Sequence, residues 1–167
     1  MRTHTVQWLP LLLLAAAAAY DDRGAVNPDV TQDTIAQTIC APGYTKSVRP
    51  APDFTSDVKR TLIERAGLNP VSAQYYELDY VIPLALGGHP TDRQNFALQV
   101  LEGKNGARRK DRIEAKLQCL VCSGQVTIAD AQREILTDWQ AAYQRHAHAK
   151  CWMTNRLRKG SDRSDNG

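Results

Sequence analysis

Several features that would assign a function class at once are missing from this chain. No internal repeat is present, which excludes solenoid and propeller architectures. Neither sign of charge dominates: 21 basic and 18 acidic residues give a formal charge of +3 and a pI near 8.7. That balance tolerates a nucleic-acid partner without demanding one. No basic stretch interleaved with aromatics and no base-reading helix stands out, so strong sequence preference is not expected. No apolar run reaches the roughly 20 residues that a membrane-spanning helix needs. What remains is a chain of 167 residues, 43% hydrophobic and 23% charged, the profile of one soluble globular domain.

The longest apolar run lies near the N-terminus. Arg2 precedes Trp8-Leu9-Pro10-Leu11-Leu12-Leu13-Leu14, alanines follow through Ala19, and Asp21-Asp22-Arg23 closes the stretch. A positive start, a short apolar core and small residues at the exit are the parts of a secretory signal peptide, here residues 1–19. An uncleaved anchor is the competing reading, and the run is short for it. Cleavage takes away Arg2 alone among the charged residues and leaves a net charge of +2. A periplasmic or secreted protein, free of the membrane after cleavage, is expected. The four cysteines are Cys40, Cys119, Cys122 and Cys151. In an oxidising compartment they can pair, and four allow three complete pairings. Cys119 and Cys122 also form a C-x-x-C with His146, His148 and Cys151 downstream, which reads alternatively as a zinc site. The second half is not a standard ligand pair, and export favours disulfides.

An extended arm over residues 20–54 is expected, with a turn at Asn27-Pro28 and an irregular path through Pro42-Gly43, Pro50 and Pro52. A helix starts near Thr55-Ser56-Asp57, turns Val58, Leu62 and Ile63 inward and stops at Gly67, before a break at Asn69-Pro70. Residues 76–82 are rich in aromatic and branched side chains and end at Pro83, the signature of a strand; 96–101 form a second. A helix follows over 107–121, with Ile113, Leu117, Leu120 and Val121 on one face. Ser123-Gly124 closes it, and Thr127 with Asp130 caps another helix, whose Ile128, Ala131, Ile135, Leu136, Trp139, Ala142 and Tyr143 stripe is core. The basic tail over 151–167 is polar and expected to be flexible.

The order strand, loop, strand, helix frames one segment: Glu77-Leu78-Asp79-Tyr80-Val81-Ile82-Pro83-Leu84-Ala85-Leu86-Gly87-Gly88, then Asn95-Phe96-Ala97-Leu98. It resembles the HNH (ββα-metal) nuclease pattern of an Asp-His pair before a hydrophobic-Pro step, a glycine loop and Asn-Leu. Flanking segments, among them Asn27-Pro28-Asp29-Val30-Thr31, Thr38-Ile39-Cys40-Ala41-Pro42-Gly43-Tyr44-Thr45, Lys110-Asp111-Arg112-Ile113-Glu114 and Leu120-Val121-Cys122-Ser123-Gly124, look like a bacterial exported family of that group. The resemblance covers roughly residues 27–143. It implies an α+β fold with a small ββα-metal core, flanking helices and an HNH-like nuclease domain over 55–150. It also implies a Cys40–Cys122 disulfide, since those two cysteines lie in the family-like segments.

By the same resemblance the activity is hydrolysis of phosphodiester bonds in DNA, less readily RNA, with one divalent metal ion: Mg2+ first, with Mn2+, Ni2+ or Zn2+ as alternatives. Charge grows on a phosphodiester in its transition state, so a cation belongs on its oxygens. Asp79 and the amide oxygen of Asn105 are the implied metal ligands, and Asn95 holds the base residue and its loop. Lys104, Arg108, Arg109, Lys110 and Arg112 cluster at the start of the helix that would hold Asn105, as phosphate contacts with little sequence preference. Taken alone such a run reads as a solvated helix face; Asn105 beside it tips the reading towards binding.

The family's base is a histidine after the aspartate, and this chain has Tyr80 there. A phenol with a pKa near 10 is basic at pH 7 in only about one molecule in a thousand, whereas an imidazole near 6.5 is mostly basic. General-base help is typically worth about 10² to 10⁴ in rate, and most of that goes unless a cation depresses Tyr80 by several units. Three readings stay open: a slow nuclease, a catalytically silent relative that still binds metal or nucleic acid or serves as an accessory protein, and a point variant of an active enzyme. His89 is a weaker alternative base. Adjacent strand residues face opposite sides, so Asp79 and Tyr80 serve one phosphate only if the strand ends or twists there.

Overall fold

The computed structural model describes residues 23–151; the expected signal peptide and all of the expected tail beyond Cys151 lie outside them. Four helices and one antiparallel strand pair make up the regular structure of these residues, an α+β content: α1 (Tyr44–Val48), α2 (Pro52–Arg65), β1 (Tyr76–Tyr80), β2 (Phe96–Val100), α3 (Ala107–Cys122) and α4 (Ile128–His146). Single 3-10 turns at Pro70–Tyr75, Leu84–Leu86 and Arg93–Asn95 link them.

The register of the pair runs from Tyr76 opposite Val100 to Tyr80 opposite Phe96. β1 ends at Tyr80, two residues short of the expected end. Val81 still donates to the Asn95 carbonyl at 2.8 Å, but Ile82 bonds the Asn95 side chain and Pro83 turns the chain into a 3-10 turn. α2 starts three residues earlier than expected, because Pro52 sits in its first turn, where its missing N–H removes no helical bond. Within α2, Val58 and Ile63 are buried while Leu62 is only partly so.

The arm is less irregular than its prolines suggest. Gly43, at φ 81°, takes the left-handed conformation that starts α1. Val30 and Ile39 of the arm enter the main core, beside Ile82 and Leu86 of the inter-strand loop, Ile113, Leu117 and Val121 of α3, and Ile128, Ala131, Ile135 and Ala142 of α4. Fully burying such a side chain contributes roughly 1.5–3 kcal/mol, so the arm is an integral part of the domain. The core thus lies between the two long helices and the loop. The sheet leans on α2 instead, through Phe54 and Phe96 with ring centroids 6.0 Å apart.

Two disulfides lock this arrangement. Cys40–Cys122 ties the arm to the end of α3, and Cys119–Cys151 ties α3 to the chain after α4. All four thiols are thereby oxidised, which removes the alternative zinc reading of Cys119, Cys122, His146, His148 and Cys151. The capping residue Thr127 accepts from Asp130 N at 3.1 Å, and the hydrophobic stripe of α4 faces the core. The helix is interrupted at Asp138, whose extended backbone and side chain, accepting from Ala141 N at 2.9 Å, start a second helical segment.

Candidate functional site

The site is built where β1 stops against the first turns of α3. Asp79 and Tyr80 are consecutive, and their side chains part there. The Asp79 carboxylate faces α3, with Oδ2 3.1 Å from Lys110 Nζ, while Oδ1 accepts from Tyr80 N at 2.7 Å. The Tyr80 ring packs on Phe96, centroids 4.7 Å apart, and its hydroxyl donates to the Pro90 carbonyl at 3.3 Å. Burial raises the phenol's pKa above its ordinary value; the Arg49 charge opposes this but is the weaker influence. No side chain of the surroundings outweighs burial to supply the depression that a tyrosine base requires.

Asn95 is fully buried and holds the loop between the strands. Its Oδ1 accepts from Ile82 N at 2.8 Å and from Ala25 N at 3.4 Å; its Nδ2 donates to the carbonyls of Ile82 and His89, each at 3.0 Å. These bonds fix backbone and leave no side-chain bond to Tyr80 among those present. The His89 Nδ1 accepts from Asp92 N at 3.0 Å and Thr91 N at 3.3 Å, so its acceptor nitrogen is occupied by the loop it stands in. A neutral ring then carries its proton on Nε2 and is no base there.

Lys110 corrects the expectation of a cation offered to phosphate. Its side chain is only 4% exposed, and Nζ donates to Glu114 Oε1 at 2.6 Å and the Tyr80 carbonyl at 2.7 Å besides meeting Asp79. Glu114 stands in a family-like segment but has no role by that resemblance, although its i, i+4 spacing from Lys110 on a helix marks a pair. Its carboxyl is pushed up to about 7, first by burial and next, in the opposite sense, by Lys110. The other basic residues separate. Lys104, Arg108 and Arg112 are exposed, with Arg108 3.1 Å from Glu102, whereas Arg109 is half-buried and stacks over the Tyr143 ring at 4.3 Å.

Two clefts border Asp79 and Tyr80. One, of about 380 Å³, lies between the arm and α3 and is lined by Arg49, Glu77, Asp111, Arg112 and Glu114 among others. Burial and the neighbouring Asp111 and Asp79 raise the carboxyl pKa of Glu77 there. The other, of about 760 Å³, lies between the hairpin and α4, with Arg23, Gln99, Arg133 and Trp139 in its walls.

The implied metal ligands, Asp79 and Asn105, are each engaged by other groups of the chain. Both Asp79 oxygens already have partners, and the Asn105 amide oxygen lies 3.5 Å from Gln140 Nε2, while its carbonyl accepts from Gln99. Among the described residues, no group of three or more His, Cys, Asp or Glu side chains is disposed to hold a metal ion. With Lys110 on its carboxylate, Asp79 presents no oxygen without a protein partner to a divalent metal. No protein-family model, curated protein or solved structure gives a significant match to this chain.

Proposed function

We propose that this chain is an exported nucleic-acid-binding protein built on the HNH nuclease pattern, with little or no phosphodiester hydrolysis of its own. One observation carries the reading: the Lys110 ammonium sits on Asp79, the carboxylate expected to hold the catalytic cation. Binding is supported by the exposed Lys104, Arg108 and Arg112 at the start of α3, whose contacts would be to phosphate and insensitive to sequence. DNA is the expected partner before RNA. Two disulfides fit an oxidising compartment, and the periplasm or the exterior is the location this reading assigns.

Slow, metal-dependent hydrolysis is the second reading. It is favoured by Asn95 standing just before β2 and bracing the loop that follows Asp79 and Tyr80. Anisotropy of a labelled duplex across a salt series, run beside nicking of supercoiled plasmid with Mg2+ or Mn2+, separates the two. Binding is expected to weaken with salt, and replacing Lys104, Arg108 and Arg112 by alanine should lower the log–log salt slope by about 2–3. Metal-dependent nicking that disappears in Asp79→Ala would establish the second reading, and no binding at low salt would refute the first.

A further inference from the structure

Lysine is among the residues least often buried, and taking an ammonium out of water is costly unless it is paired and hydrogen-bonded. Lys110 meets that condition in full. An ammonium has three N–H donors. Those of Lys110 find three oxygens: Glu114 Oε1 at 2.6 Å, the Tyr80 carbonyl at 2.7 Å and Asp79 Oδ2 at 3.1 Å. Two carboxylates and a backbone carbonyl are the donor set that hard divalent cations choose. The lysine reaches this cage from the first turns of α3, the same region in which the resemblance places the second metal ligand, Asn105.

We infer that the Lys110 ammonium is the resident cation of this site: it bridges Asp79, Glu114 and the Tyr80 carbonyl, and by filling that oxygen cage it keeps a divalent metal off Asp79. The inference deepens the non-hydrolytic reading above and gives it a cause. Charge within the cage is consistent with the substitution. A single positive charge faces two carboxylates, whereas a divalent ion would balance both. A cage built this way holds a latent metal site. Shortening Lys110 to alanine leaves two carboxylates and a carbonyl facing the space the ammonium occupied, whereas methionine removes the charge and keeps the bulk.

The test uses the full chain and Mn2+ alone, with no nucleic acid present, so the fate of duplex binding does not bear on it. Calorimetric titration and thermal unfolding are read together. The native chain is expected to take up no Mn2+ at this site and to unfold at the same temperature with Mn2+ or with EDTA. Lys110→Ala is expected to unfold earlier, to bind Mn2+ at a single site in the micromolar range, and to regain several degrees when the site is saturated. Lys110→Met should lose stability without regaining it on adding Mn2+, and Lys110→Ala with Asp79→Asn should lose the Mn2+ site. Native-chain binding of Mn2+ that Asp79→Asn abolishes would overturn the inference. So would a Lys110→Ala chain that Mn2+ neither binds nor restores, including one that does not fold with the metal present.

Discussion

Glu114 shows at a single residue what burying Lys110 entails. Its carboxyl is raised from an ordinary 4.5 to about 7, chiefly by burial, with Lys110 opposing and Asp79 and Asp111 adding to the rise. A group whose pKa is higher in the folded chain binds its proton more tightly there. The stability it contributes is therefore complete below 4.5 and is lost as pH rises through about 7. The Lys110 pKa is raised as well, by Glu114 and Asp79 against its own desolvation, but its contribution persists up to the ordinary lysine value of 10.5 and adds no slope in this range. The lowered carboxyls of Asp57 and Asp130 act only in acid, around and below 3.8. The unfolding midpoint of the native chain should thus fall between about pH 5 and pH 8, and Glu114→Gln should flatten the decline. A native midpoint that rises over that interval would contradict the assignment. Lys110 itself was readable with the right period. It stands three residues after Ala107, three before Ile113 and seven before Leu117, all buried, and so shares their helix face. A count of basic residues hides that, because only one position in such a run turns inward.

At the scale of elements, the loop between β1 and β2 is where local sequence and tertiary structure meet most closely. Its Gly87-Gly88 was legible as a glycine loop, and the two strands and α3 were legible to within two residues. What the loop is pressed against was not. Val26 of the arm bridges Gly88 as an isolated antiparallel pair, with Asn27 N donating to the Gly87 carbonyl at 2.8 Å and His89 N to the Ala25 carbonyl at 2.7 Å. A polar arm with several prolines carries no periodic signal for such a docking, which depends on partners some 60 residues away in sequence. Gly88 leaves no room for a side chain: a Cβ there would lie 1.7 Å from the Ile82 carbonyl oxygen and 2.7 Å from Asn95 Nδ2. Both neighbours belong to the Asn95 bond set, so neither can yield without breaking buried hydrogen bonds. Gly88→Ala should cost roughly 3 kcal/mol or more, read as a lower urea midpoint. A variant as stable as the native chain would mean that the loop is not held by Asn95.

Across the whole molecule, two disulfides act on loops of very different length, and that difference is measurable. Cys40–Cys122 spans a sequence separation of 82, Cys119–Cys151 one of 32. The first pairing followed from the family-like segments alone; the second needed the path of the chain after α4. Closing the longer loop restricts the unfolded chain more, by about 4.5 against about 3.7 kcal/mol in the chain-entropy account. The folded arm has other anchors: Ile39 in the core, Gln118 donating to the Ile39 carbonyl at 2.8 Å, and Ile128 N donating to Gln32 at 3.0 Å. Removing the long clip should therefore leave the arm seated while the unfolded chain gains freedom. Total stabilities of such domains are only about 5–15 kcal/mol, so a loss of this size is large. Paired Cys40→Ser and Cys122→Ser substitutions should lower the free energy of unfolding by about 4 kcal/mol, somewhat more than Cys119→Ser with Cys151→Ser. Amide exchange at Thr38 and Val30, whose N–H groups donate to the Thr34 and Asn27 carbonyls at 3.0 Å each, should stay protected in the folded state of the first variant. Early exchange at those two positions would show that Cys40–Cys122 holds the arm in place, and that its action is on the native state instead of the unfolded one.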